Sequence, residues 1–498
     1  MKHTGPLSGV RVVDLTAMVM GPYCTQIMAA PVRMLDELFD NPHLNDAGFF
    51  ETVDTPNGPV RFPGPPAWFS RTPGRVAGPA PRLGAHTAEI MAVLEALMRL
   101  TRITDSKDRI VDFSLTEDQQ SIRDAVLKHC SRFPDDYWLE RDRDGVFPRD
   151  FHKSMADSGW LGVAMPEAVG GAGLGITEAA IMMQAVAESG GGMAAASSIH
   201  GPVFSLEPVA RFGTEEQRQR MIPPVLSGED LICFAVTEPN AGLDTTKLTT
   251  RAERRDGGYL VNGEKIWISV AQVASKMMLL ARTTPLGEVK RKTEGLSLFF
   301  TDLDRASIEA RTIQKMGRHA VDSNMLFISD LWVPEEDRIG AEGDGFTIIL
   351  HGLNPERILL GAEAVGLGRV AIRRAARYAR ERIVFDRPIG MNQGIQHPLA
   401  KCWAQLEAAN LMVMKAATLF DQGLDCGVEA NAGKYLAAEA GFEACHTAML
   451  TLGGMGYAQE YHVERYLREI LIPRTAPVSP HMILNFLAEK ALDLPKSY

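Results

Sequence analysis

Arg382 opens the run Arg382-Ile383-Val384-Phe385-Asp386 after a long helical pattern, and a guanidinium there offers the planar fork that pyrophosphate oxygens match. The paired glycines of Gly453-Gly454-Met455-Gly456-Tyr457 leave room for a backbone to approach a ribose or phosphate closely. Taken singly, each has a plainer role, a solvated helix arginine and a helix C-cap. Glu356 follows Asn354 and Pro355 at the head of that same helical pattern. Asn354 reads as N-cap and Pro355 as the first helical residue, which sets Glu356 in the first turn, where a glutamate complements the helix dipole by about 0.3–1 kcal/mol. Alone, Thr237 begins a turn and Trp267 is a half-buried strand residue. Gly171-Ala172-Gly173-Leu174-Gly175 has GxGxG spacing, but it follows no strand and lacks a βαβ unit, so it is read as a loop and not as a dinucleotide fingerprint.

The elements that must hold these residues change character along the chain. Val10 to Leu15 alternates weakly and reads as a strand ending near Gly21-Pro22. Pro42 to Pro81 is crowded with Pro and Gly and can hold little helix. His86 to about Arg102 has helical spacing, and the charged run Asp105-Ser106-Lys107-Asp108-Arg109 reads as a linker, which places a boundary near 105–112. Thr116-Glu117-Asp118-Gln119 has the form of a capping box and opens a helix through Cys130. Helical patterns continue to about Leu226. From Leu231 to Val333 the period switches to two, as in Leu296-Ser297-Leu298-Phe299-Phe300. Beyond Gly345 long amphipathic helices over 354–382, about 394–422 and about 428–452 suit an antiparallel bundle.

Composition sets the outer limits. A chain of 498 residues exceeds a single core, which stops growing at roughly 250–300 residues. With 45% hydrophobic and 23% charged residues it reads as an ordinary globular protein. The net charge of −10 gives no basic field for nucleic acid or anionic lipid. No uncharged stretch of about 18 residues suggests a membrane span. Six cysteines (Cys24, Cys130, Cys233, Cys402, Cys426, Cys445) show no CxxC spacing, so neither a metal site nor a disulfide framework is expected, and a reducing cytoplasm fits.

Several motifs then stand in a telling order. Phe234-Ala235-Val236-Thr237-Glu238-Pro239-Asn240-Ala241-Gly242-Leu243-Asp244 is followed by Lys265-Ile266-Trp267-Ile268-Ser269, by Lys315-Met316-Gly317-Arg318, by Leu331-Trp332-Val333-Pro334, and by the Arg382, Asn392-Gln393 and Gly453-Gly454 segments. Together, from about Asp112 to Tyr498, they resemble the acyl-CoA dehydrogenase family and its TEPxAGSD signature. The resemblance implies a multi-domain α+β fold, with an α-helical domain over 112–230, a β domain over 231–340 and a C-terminal antiparallel four-helix bundle over 341–498. It implies FAD as cofactor. Phe234, Val236, Thr237, Trp267 and Ser269 would face the flavin ring, which needs fixed donors near the atoms that gain charge. Arg382, Phe385, Asn392, Gln393, Gly453, Gly454 and Ser479 would complete the cofactor site, with the adenosine diphosphate part held across a subunit interface. A homotetramer, an acyl-CoA substrate and an electron-transfer flavoprotein as electron acceptor follow as expectations.

Oxidising a thioester at Cα and Cβ requires a base for the α-proton. Many family members carry it as Glu in a YEG segment, but here that stretch is Arg474-Thr475-Ala476-Pro477-Val478-Ser479-Pro480, with Pro477 in place of Glu. A minority carry it at the start of the C-terminal bundle, and Glu356 matches that position. The resemblance therefore assigns Glu356 as catalytic base, with Asn354 and Arg357 at the substrate. Leu243 and Leu450 replace polar residues of the pattern, and Pro477 lacks the N–H that helps polarise the thioester carbonyl in relatives. These departures keep open a second reading, a non-catalytic or heteromeric partner subunit.

Residues 1–105 differ in kind. Gly5 to Thr16 with Gly21-Pro22-Tyr23, and then Asn41 to Leu94, resemble the two ends of class III CoA-transferases with the middle missing. Asp14 is thus expected to be a strand-end carboxylate and not a nucleophile.

Overall fold

The computed structural model describes residues 39–55, 58–63 and 113–497. The strand expected over 10–15, Asp14, the helix over 86–102 and the 105–109 linker lie outside the described residues. The chain divides into two compact units, Met1–Asp112 and Phe113–Tyr498. In the first, a five-residue helix α1 (Pro42–Asp46) precedes a hairpin of β1 (Phe50–Thr55) and β2 (Gly58–Pro63), paired antiparallel with Val53 opposite Val60.

The second unit begins with helices. The capping box forms as its residues require: Thr116 Oγ1 accepts from Gln119 N and Gln119 Oε1 from Thr116 N, opening α2 (Glu117–Cys130). Helices α3 (Asp135–Asp144), α4 (Arg149–Asp157), α5 (Ile176–Val186), α6 (Gly192–Ser205), α7 (Glu207–Phe212) and α8 (Glu215–Leu226) follow. The Gly170–Gly175 segment is a loop before α5. A single π-turn over Ala187–Gly191 separates α5 from α6, with Gly190 at φ +114°. The buried Glu469 accepts from Met193 N at 2.7 Å, meeting one of the amide donors left open at the start of α6.

Strands β3 (Ile232–Ala235), β4 (Arg251–Arg255), β5 (Gly258–Ser269), β6 (Lys276–Arg282), β7 (Leu296–Asp302), β8 (Ile308–Thr312), β9 (Ser323–Pro334) and β10 (Arg338–Ile339) form one sheet. Its order is β10-β7-β6-β4-β5-β9-β8, with β3 parallel to β6. Its alternating residues bury one apolar cluster that includes Tyr259, Phe299, Leu326 and Val333. The β5–β9 register shifts between Lys265 and Ile268, and Trp267 sits at that irregularity with φ +63°. It is 57% exposed, so the half-buried position that the residue taken alone suggests does not form, and the bulge turns its ring out of the pleat.

The C-terminal helices are α9 (Gly345–Glu381), α10 (Gln393–Asp421), α11 (Gly427–Leu452), α12 (Val463–Glu469), α13 (Leu471–Thr475) and α14 (Pro480–Ala491). One expectation fails here. Asn354 is not an N-cap and Pro355 is not the first helical residue; α9 starts at Gly345, and both lie in its interior. Proline forfeits one helical hydrogen bond, but Pro355 is buried, and the apolar stripe that includes Ile348, Ile349, Ile358 and Leu359 packs into the main core on both sides of it. Burial on both sides offsets that loss, which local rules could not register. Glu356 therefore stands in the middle of a helix, away from the dipole.

Candidate active site

The first two motifs are held together by backbone and by a buried ion pair. Ile266 N donates to Thr237 O at 2.9 Å, and Lys265 Nζ donates to Val236 O at 3.1 Å, Leu280 O at 2.7 Å and Glu238 Oε1 at 2.9 Å. Glu238 also accepts from Thr249 N, Thr249 Oγ1 and Thr250 N. Burial opposes the charge on Glu238, but the Lys265 charge and these bonds outweigh it and lower its pKa. Burial draws Lys265 down to about 8 against the pull of Glu238, and its three acceptors, Val236 O, Leu280 O and Glu238 Oε1, match the three donors of an ammonium. Val236 and Thr237 are thereby fixed beside Trp267 and Ser269.

Ser269 Oγ accepts from Arg318 Nη2 at 2.9 Å. A guanidinium can only donate, so the hydroxyl's own proton is left to be given elsewhere. Arg318 Nη1 also donates to Ser197 Oγ on α6 at 3.1 Å, tying the sheet to that helix. Phe234 on β3 meets Phe204 of α6, ring centroids 5.2 Å apart. Helix α6 is thus the common neighbour of the ring-facing candidates and of α9.

On α9, Glu356 is half-buried, and its Oε2 atom lies out of solvent with no hydrogen-bond partner. Burial raises its pKa against the attractions of His200, Arg357 and Lys434. Arg357 Nη1 donates to Asn354 Oδ1 at 2.9 Å, one turn apart, so the two substrate candidates brace each other. Pro477 follows a cis peptide bond, and Lys434 Nζ of α11 donates to the neighbouring Val478 O at 2.8 Å. Ser479 is the N-cap of α14, its Oγ accepting from Met482 N.

The remaining candidates are exposed, save the half-buried Asn392. Arg382 caps α9, its N–H donating to Tyr378 O at 2.8 Å and its carbonyl accepting from Ile389 N at 2.9 Å. The chain then turns through β11 (Ile383–Val384) and β12 (Arg387–Pro388), leaving Phe385 92% exposed at φ +52°. Arg387 Nη2 donates to Asn392 Oδ1 at 2.7 Å, and Gln393 begins α10. Gly453 ends α11 at φ +60°, and a side chain at Gly453 or Gly454 would meet only open space. Among the described residues no hydrogen bond or ring contact joins these segments to Ser269 or Glu356.

The Gly170–Gly175 loop borders a cleft of 640 Å³ with Thr418, Phe420 and Asp421. None of the residues expected at the reacting centre lines it. Asp421 there accepts from Ile176 N, Thr177 N and Thr177 Oγ1, which caps α5 and gives the cleft a structural explanation.

Comparison with known proteins decides what this assembly is. Over 391 residues the chain is 35% identical to acyl-CoA dehydrogenase FadE12 of Mycobacterium tuberculosis, covering 78% of this chain and 99% of the relative. The chain belongs to the acyl-CoA dehydrogenase family. Models of that family's N-terminal, middle and C-terminal domains match residues 116–229, 233–331 and 343–477. A CoA-transferase family III model matches residues 25–87, in keeping with a remnant of a second CoA enzyme ahead of the acyl-CoA dehydrogenase portion. Benzylmalonyl-CoA dehydrogenase of Aromatoleum aromaticum is 35% identical over 365 residues, 72% of this chain and 94% of that one. The solved butyryl-CoA dehydrogenase of Megasphaera elsdenii superposes with a TM-score of 0.73 at 28% identity, covering 77% of this chain and all of the other. The acyl-CoA dehydrogenase architecture, helical at both ends with a β middle, is therefore established, and with it an oxidoreductase and flavoprotein family.

Sequence reasoning gave no role to four residues around the candidate site of this acyl-CoA dehydrogenase: His200, Glu363, Lys434, and Arg318, which it quoted only within the Lys315-Met316-Gly317-Arg318 motif. The available signal was weak. Glu363 and Lys434 are charges within otherwise apolar or small-residue stretches, Leu359-Leu360-Gly361-Ala362 and Ala432-Gly433, where a lone charge needs a partner.

Proposed function

We propose that the protein oxidises an acyl-CoA thioester to its 2,3-enoyl-CoA, with Glu356 taking the α-proton. The observation that carries this is the Glu356 carboxylate: Oε2 is withdrawn from solvent, has no hydrogen-bond partner, and its pKa is raised by burial. A carboxylate left unsatisfied in a native interior is costly, which makes it a stronger base for the α-proton, and the charges of His200, Arg357 and Lys434 counter its protonation by solvent.

The residues present fit FAD. Trp267 offers an exposed indole on a bulge, Ser269 has a proton to give because Arg318 occupies its oxygen, and Gly453 and Gly454 leave open space where a Cβ would stand. Phe234, Val236, Thr237, Trp267 and Ser269 would hold the ring, with Arg382, Phe385, Asn392, Gln393, Gly453, Gly454 and Ser479 toward the rest of the cofactor. FAD, when bound, supplies the acceptor for the β-hydrogen as hydride, and an electron-transfer flavoprotein then takes the electrons. Asn354 and Arg357 orient the substrate. The exposed Phe385, Trp403, Met455 and Tyr457 suit burial against further copies, as a homotetramer in the cytoplasm would provide.

Flavin content and rapid-mixing reduction test this. The expected result is about one FAD per subunit, bleached on mixing with a suitable acyl-CoA, and a loss of several orders of magnitude in that rate in Glu356→Gln with FAD content unchanged. Equal rates in the two proteins overturn the base assignment and turn attention to Ser479 and His481. A flavin-loaded wild type that no thioester reduces supports the partner-subunit reading, which Pro477, lacking an N–H, favours.

A further inference from the structure

His200 projects from α6 onto α9, where its Nδ1 lies 2.6 Å from Glu363 Oε1. The Glu363 side chain is fully buried and that of His200 is 13% exposed. Glu363 stands seven residues after Glu356, close to two turns, so the two carboxylates share one face of α9. His200 Nε2, Glu363 Oε2 and Glu356 Oε2 all lie out of solvent without a hydrogen-bond partner. Buried polar atoms are nearly always satisfied, so three unmet ones in one cluster mark a place arranged for charge and not for packing.

The electrostatics join the three residues. Burial disfavours the His200 cation, but the Glu363 charge and hydrogen bond and then the Glu356 charge prevail and raise its pKa, with Arg318 opposing. For Glu356, burial raises the pKa, while His200, Arg357 and Lys434 pull it down and Glu363 pushes it up. The charges facing the pair are thus Glu356, Arg357 and Glu363 on α9, His200 on α6, Lys434 on α11 and Arg318 from the segment before β9.

We propose that His200 and Glu363 form a positioning pair for the base: Glu363 clamps His200 through Nδ1, and the resulting cation holds the Glu356 carboxylate as the anion in a desolvated cleft. An isolated glutamate in such surroundings takes a proton from solvent and ceases to be a base, and a neighbouring cation counters this. Glu363 matters because a histidine without its anion loses its charge near neutral pH. This inference rests on the reading of Glu356 as the base.

The test is the pH profile of single-turnover flavin reduction by the full-length holoprotein, after FAD content and thermal midpoint have been checked. His200→Asn is expected to move the acid limb upward by about one pH unit. Glu363→Gln releases the His200 charge but also removes the weaker push of the Glu363 anion on Glu356, so it moves the limb in the same direction by less, and the double variant moves it no further than His200→Asn alone. His200→Lys, which restores a positive charge, returns the limb toward wild type. An acid limb unmoved in His200→Asn, or additive shifts in the double variant, overturns the proposal. If His200→Asn fails to assemble, the near-isosteric Glu363→Gln carries the same test. Failure of the base assignment is distinguishable, since it appears as unchanged reduction in Glu356→Gln whatever stands at position 200.

Discussion

Arg318 Nη2 donates to Ser269 Oγ at 2.9 Å, and because a guanidinium has no lone pair to offer in return, the serine is left as a donor toward whatever faces it. Arg318→Met is therefore expected to free the hydroxyl to rotate, lower the midpoint potential of bound FAD and slow its reduction by about tenfold, the size of one hydrogen bond. Ser269→Ala should change both quantities in the same direction. A potential unchanged in both variants would remove Ser269 from the flavin.

The Lys265–Glu238 pair predicts a larger effect on stability. Lys265→Met leaves Glu238 buried without its cation and removes the donor to Val236 O and Leu280 O, so a loss of about 3–5 kcal/mol is expected in urea unfolding. Flavin content should fall with it, since Val236 and Thr237 lose their anchor. Adding Glu238→Gln ought to recover part of the loss. A double variant as unstable as the sum of the two singles contradicts an ionised pair.

Lys434 gives a pH signature. Burial first, and then the Arg357 charge, hold its pKa down at about 8. A lysine depressed in the folded state is penalised while charged, so between about pH 8 and pH 10.4 the unfolded chain binds more protons and stability rises with pH. In Lys434→Met that contribution disappears, and its thermal midpoint should climb less than that of wild type over this window. Parallel curves would show that Lys434 titrates normally.

Removing residues 1–112 is expected to leave FAD content and dehydrogenase activity nearly intact. Among the described residues the apolar clusters are built entirely from Val126 onward. Gel filtration and flavin absorbance of the shortened chain check this, and loss of the soluble oligomer would show that the CoA-transferase-like segment has acquired a structural role.

Local chemistry made much of this protein legible without coordinates. The Thr116–Gln119 capping box, the change of period from helix to strand near Leu231, and the run of motifs from Phe234 to Gly456 depend on neighbours a few residues apart, and the fold and family followed from them. What tertiary structure alone decided depends on contacts between distant segments. Pro355 read locally as a helix start, yet packing on both sides of it carries α9 from Gly345 to Glu381. Trp267, a half-buried strand residue if taken alone, is turned outward by the register of β5 against β9. The surroundings of Glu356 belong to the same class. Its burial, the His200–Glu363 contact across 163 positions of sequence and the Lys434 cation arise only when α6, α9 and α11 pack together, because the cost of a charge depends on what surrounds it in space.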